Sequence, residues 1–119
     1  MNLKAGVKWP EDMHASLWYA RAVINQAHLE RFGIPGTITS AFREQIPGGS
    51  SLHPLRRAMD VRTHDMPDDT AIRVFADMIA SRLGPDFDVV VEGPASLNPK
   101  LHDRQPHIHV EWDAKEYAA

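Results

Sequence analysis

Phe87-Asp88-Val89-Val90-Val91-Glu92 is the strongest strand signal in the chain, a β-branched run closed by an acidic residue. Gly84 and Pro85 precede it and stop a helix that starts at Pro67, Asp68 and Asp69 and carries Ile72, Phe75, Ile79 and Leu83 along one stripe. After Glu92 the sequence turns irregular and rich in Pro and Asn, then recovers strand character over His107-Ile108-His109-Val110-Glu111-Trp112. Upstream of the second helix, Ala58 to Thr63 reads as a strand, and Pro47, Gly48, Gly49, Ser50, Ser51 and Pro54 mark residues 44–57 as a long loop. Gly36 to Arg43 reads as a short strand after a Pro-Gly turn signal. Met13, Leu17, Ala20, Ile24 and Ala27 give residues 10–32 helical spacing, opened by Pro10, Glu11 and Asp12 and broken by Gly33 and Pro35. Two helices and about four strands without regular βαβ alternation predict an α+β domain, with the helices packed on a small antiparallel or mixed sheet.

Length and composition are consistent with that architecture. The chain has 119 residues, 43% hydrophobic and 24% charged, so one domain over residues 1–119 with a single core is expected. A net charge of -3 with interspersed signs gives no phosphate-binding footprint, so nucleic acid is not an expected partner. No apolar run approaches the roughly 20 residues that span a bilayer, and the N-terminus lacks the apolar region of a secretory signal. Synthesis in the cytoplasm without membrane insertion is therefore expected, as a monomer.

The chemistry is constrained by what is missing. There are no cysteines, so any metal must be held by histidines and carboxylates. The chain has 7 histidines, and His102, His107 and His109 lie close together. Side chains alternate along a strand, so His107, His109 and Glu111 project from one face. His53 lies in the long loop and Asp60 in the next strand. Two histidines and a carboxylate with an open fourth position compose a catalytic zinc site. A set of His107, His109 and Glu111 without His53 is the competing arrangement. Such a donor set suits zinc better than calcium or magnesium. Trp9, Trp18, Tyr19 and Trp112 read as core or groove walls, and His14 and His28 as first-helix residues at the surface or core edge. His64 reads as a loop residue, with a supporting role behind the metal ligands as the alternative.

Ser51, His53, Ala58 and Asp60 reproduce at the right spacing a Ser-x-His-x-x-Gly-x-Ala-x-Asp motif, with Arg56 at the glycine position. Val89-Val90-Val91-Glu92 followed by His107-Ile108-His109 is similar to a second motif, a strand ending in Glu and then a His-x-His pair. On these residues the chain resembles the zinc D-alanyl-D-alanine carboxypeptidases, the related phage endolysin peptidases and the zinc fold of hedgehog signalling domains. The resemblance implies a hedgehog-like or DD-peptidase-like fold, with zinc held by His53, Asp60 and His109. It implies hydrolysis of a peptide bond in peptidoglycan, of D-Ala-D-Ala or L-Ala-D-Glu type, by a phage-type lysin that reaches the wall after release or from a virion. By the same match Glu92 is the general base, Asp103 and then His102 the alternatives, and His107 stabilises the oxyanion or steers the water. Arg43 receives the substrate carboxylate, and Ser51 joins the substrate side of the site. The alternative it carries is a non-catalytic, zinc-stabilised binding module.

Overall fold

The structure is a computed structural model that describes residues 1–42 and 56–114. Its elements are β1 (Asn2–Leu3), α1 (Ala15–Phe32), β2 (Thr37–Ser40), β3 (Ala58–Arg62), α2 (Asp69–Leu83), β4 (Phe87–Glu92) and β5 (His107–Trp112). The strands form one mixed sheet in the order β1-β2-β3-β5-β4, parallel between β1 and β2 and antiparallel elsewhere. This is the α+β architecture that the order of elements predicts.

Strand alternation divides the sheet into a core face and an open face. In the register of β3, β5 and β4, Met59 and Val89 flank Val110, and Val61 and Val91 flank Ile108. These residues join Leu17, Ala20, Ile24 and Ala27 of α1 and Ile72, Phe75, Ala76, Ile79 and Leu83 of α2 in one apolar core. Full burial of a side chain such as Phe75, Ile24 or Ile79 contributes about 1.5–3 kcal/mol each before entropy is counted. Both helical stripes read from the sequence are thus the buried faces.

Helix α1 begins at Ala15, not at Pro10. Residues 10–13 instead close a turn in which the Met13 amide donates to the Pro10 carbonyl at 3.1 Å. His14 is the N-cap, its Nδ1 accepting from the Ser16 amide at 3.1 Å. Its ring stacks on Trp112 with centroids 4.1 Å apart, which ties the start of α1 to the end of β5. At the other end Gly33 takes φ 75° and its amide donates to the Leu29 carbonyl. Helix α2 starts at Asp69, two residues after the expected Pro67, because Asp68 caps it by accepting from the Ala71 amide at 2.8 Å.

Three other expectations need correction. Strand β2 is confined to Thr37–Ser40, and its pairing with β3 shifts register between Ile38 and Ser40. Trp18 and Tyr19 are exposed, because the helix face that carries Leu17, Ala20 and Ile24 points away from them. Trp9 and Trp112 are half-buried and pack against the core. His28 is fully buried, its Nδ1–H donating to the Ile34 carbonyl at 2.7 Å and its ring lying against Phe32 and Phe75. No helix among the described residues is long and apolar enough to cross a membrane.

Candidate metal centre

The open face of the sheet collects the polar side chains in rows, because residues directly opposite on neighbouring antiparallel strands point the same way. Asp60 and Val90 flank His109, Arg62 and Glu92 flank His107, and Ala58 and Asp88 flank Glu111. Strand β5, between β3 and β4, therefore contributes both histidines, and its two neighbours the facing carboxylates. Asp60 is buried and the histidines half-buried at the floor of a cleft of about 720 Å³. Lys4, Thr39 and Ser40 line one side of that cleft, and Asp103, Arg104 and Gln105 line another.

His109 Nδ1 lies 2.7 Å from Asp60 Oδ1, and His109 Nε2 lies 3.0 Å from Glu111 Oε1. Carboxylates only accept, so both ring nitrogens donate when no metal is bound. Burial works to lower the His109 pKa, but the hydrogen bonds and charges of Asp60 and then Glu111 outweigh it, and the net shift is upward from 6.5. His107 Nε2 lies 2.8 Å from Glu92 Oε2 and 3.7 Å from Asp60 Oδ1. Its Nδ1 faces the Gln105 carbonyl, which can only accept, so Nδ1 carries a hydrogen. Nε2 and the Glu92 carboxylate are thus paired directly across β5 and β4.

Asp60, His107 and His109 each offer one donor atom, all within 4.8 Å of one another, so these three residues could hold a metal ion. The donor set, two imidazoles and a carboxylate without thiolate, fits a borderline-soft divalent ion. Glu111 lies outside this group, on the far nitrogen of His109.

The long connection between β4 and β5 does not displace the site. Glu92 and His107 are direct partners in the register, so residues 93–106 leave and re-enter the sheet at one place. Gly93 makes that closure feasible, since it takes φ 96° and a Cβ there would stand 2.8 Å from Pro106 Cα. Its amide also donates to the Leu101 carbonyl at 2.8 Å. Within the connection, a short helical turn at Pro99–Leu101 precedes His102, whose Nε2 is hydrogen-bonded to the Ser96 carbonyl at 2.8 Å. His102 is therefore tied back into the connection, whereas Asp103 is exposed on the wall of the cleft.

The expected residues Asp60, Glu92, His107 and His109 are thus brought together. Arg43, Ser51 and His53 lie outside the described residues. His64 is exposed in a turn after β3 and does not line the cleft. Lys4 had no signal in the sequence, because it reaches the cleft through the pairing of the two-residue β1 with β2, whereas Ser40 arrives by pairing opposite Asp60, a register that no local pattern specifies.

Arg56 occupies the glycine position of the first motif and adopts φ 59°, the left-handed conformation that glycine accepts without strain. Its side chain is held by Asp12, Nε to Oδ1 2.9 Å, and lies over the Phe42 ring at 4.4 Å. No family model, no curated protein and no solved structure matches this chain.

Proposed function

We propose that this chain is a zinc peptidase that hydrolyses peptide bonds of bacterial peptidoglycan, of D-Ala-D-Ala or L-Ala-D-Glu type. The observation that carries the reading is the convergence of Asp60, His109 and the Glu92–His107 pair on the floor of one cleft. The motif resemblance supports it, since the residues it selects on three separate strands are those that meet. In this reading Asp60 and His109 hold zinc together with His53, and the hedgehog-like or DD-peptidase-like fold frames them.

Zinc in such a site supplies Lewis-acid polarisation of the scissile carbonyl and a nucleophile drawn from water at neutral pH. The chain's own residues manage the protons. Glu92 takes the proton of the attacking water and passes it to the leaving amine. His107, whose Nε2 lies 2.8 Å from Glu92 Oε2, orients that carboxylate and through it steers the attacking water. In the same reading Arg43 receives the carboxylate of the substrate peptide, and Ser51 takes part in binding it. Asp103, on the cleft wall, is the alternative base, and the hydrogen bond of His102 to Ser96 makes it the weakest candidate.

A second reading of the ligand set rests on the donor spacing, in which His107 is the third ligand in place of His53. His53→Ala abolishes zinc binding under the first reading, and His107→Ala does so under the second.

The activity is tested on purified peptidoglycan with zinc-loaded protein, chelator-treated protein and Glu92→Gln, with mass spectrometry of the released fragments. Chelator-sensitive release of defined peptides that is lost in Glu92→Gln supports the enzyme and its base. Absence of release from folded, zinc-loaded protein on several wall types refutes the peptidase and leaves the non-catalytic binding module.

A further inference from the structure

We infer that Glu111 is a positioning residue for the metal centre, fixing the tautomer and ring orientation of His109 so that Nδ1 is the nitrogen offered to the metal. The inference rests on the proposed metal site and adds to it a residue outside the ligand group. The two nitrogens of an imidazole direct their lone pairs to opposite sides of the ring. Asp60 Oδ1 stands 2.7 Å from Nδ1 and Glu111 Oε1 stands 3.0 Å from Nε2, so the two carboxylates hold the ring from opposite sides. The Asp60 oxygen on the Nδ1 side, Oδ1, is also the one that stands 3.7 Å from His107 Nε2. A metal shared by Asp60 and His109 therefore replaces the proton on Nδ1, and the proton on Nε2 stays with Glu111.

The local structure holds Glu111 for this role. It lies two residues after His109 on the interior strand β5, on the same face, with pairing on both sides. Its direct neighbour on β3 is Ala58, whose methyl group leaves the carboxylate room beside the ring. Both side chains are largely covered, His109 at 13% and Glu111 at 25% exposed, so water competes weakly for the hydrogen bond. Without this acceptor the ring could turn about its Cβ–Cγ bond or carry its proton on Nδ1, and either change withdraws the metal-binding lone pair. A carboxylate on the remote nitrogen also makes the ligating nitrogen more basic.

The test is zinc affinity, measured by competition with a chromophoric chelator, for the wild type, Glu111→Ala, Glu111→Gln and Asp60→Ala, together with ¹⁵N spectra of the His109 ring. Glu111→Ala is expected to bind zinc about 10- to 100-fold more weakly than the wild type. Glu111→Gln, whose amide oxygen still accepts from Nε2–H, is expected to recover most of that loss. In the zinc-loaded wild type the ring shows its proton on Nε2 and its metal on Nδ1. In the zinc-free wild type the Nε2 proton exchanges slowly, and in Glu111→Ala that protection is lost. Equal affinity of Glu111→Ala and wild type, or metal on Nε2, overturns the positioning role while leaving the metal site intact. Failure of the wild type to bind zinc, or unchanged binding by Asp60→Ala, overturns the site itself and this inference with it.

Discussion

Replacing Arg56 by alanine and by glycine separates backbone strain from side-chain contacts at the place where the chain departs from the motif it resembles. A residue with a β-carbon in the left-handed region carries about 1–2 kcal/mol of steric cost that glycine does not. Arg56 adopts φ 59° and so carries that cost. Its guanidinium makes an ion pair with Asp12, which is 71% exposed, worth at most about 1 kcal/mol. Its position 4.4 Å from the Phe42 ring centroid adds about 0.5–1 kcal/mol. Arg56→Ala removes both contacts and keeps the strain, so a loss of about 1–2 kcal/mol is expected. Arg56→Gly removes the same contacts and relieves the strain, which brings it back to within about 1 kcal/mol of the wild type once the looser unfolded chain is counted. Urea denaturation of the three proteins, compared by midpoint at equal slope, measures the difference. Alanine as stable as glycine at this position would refute the reasoning.

Phe75→Ala empties the centre of the core between α2, Phe32 and His28, and a loss of about 3–5 kcal/mol in denaturant unfolding is expected. Gly93→Ala meets the Pro106 backbone at 2.8 Å and takes a strained φ, so it is expected to cost about 1–3 kcal/mol in the same assay. Because that closure seats Glu92 against His107, the proposed peptidase reading also expects Gly93→Ala to weaken hydrolysis more than Phe75→Ala does at matched folded fraction. In zinc-free protein the raised pKa of His109 means the folded state holds this proton more tightly than the unfolded chain. Its contribution to stability is then full below the ordinary histidine pKa and is lost as pH rises through the raised value. His109→Asn should flatten that part of the profile, and denaturation midpoints across pH 5–9 that do not differ between the two proteins would count against it. The same proton competes with the metal, so zinc affinity is expected to rise over that range.

Much of the site was legible because strand periodicity does not depend on context. The alternation of His107, His109 and Glu111 against Ile108 and Val110 places the histidines on one face, and the structure has Ile108 and Val110 buried. The pairing that brings Asp60 opposite His109 and Glu92 opposite His107 is a register, which no local pattern specifies. Pro10, Glu11 and Asp12 are good first-turn residues and point to an earlier start of α1, whereas the actual cap, His14, is a type that N-cap preferences do not favour. Strand β1 is two residues long and owes its existence to pairing with β2, so periodicity could not reveal it. Trp18 and Tyr19 show that aromatic size does not decide burial on a helix, since the face does.

Calorimetric titration of zinc into metal-free protein, wild type against Asp60→Ala and His109→Ala, tests the central claim most directly. Binding of one ion per chain with proton release, lost in both variants while they remain folded, is the result expected. No binding by the wild type, or binding that survives both substitutions, would contradict a metal centre on Asp60 and His109.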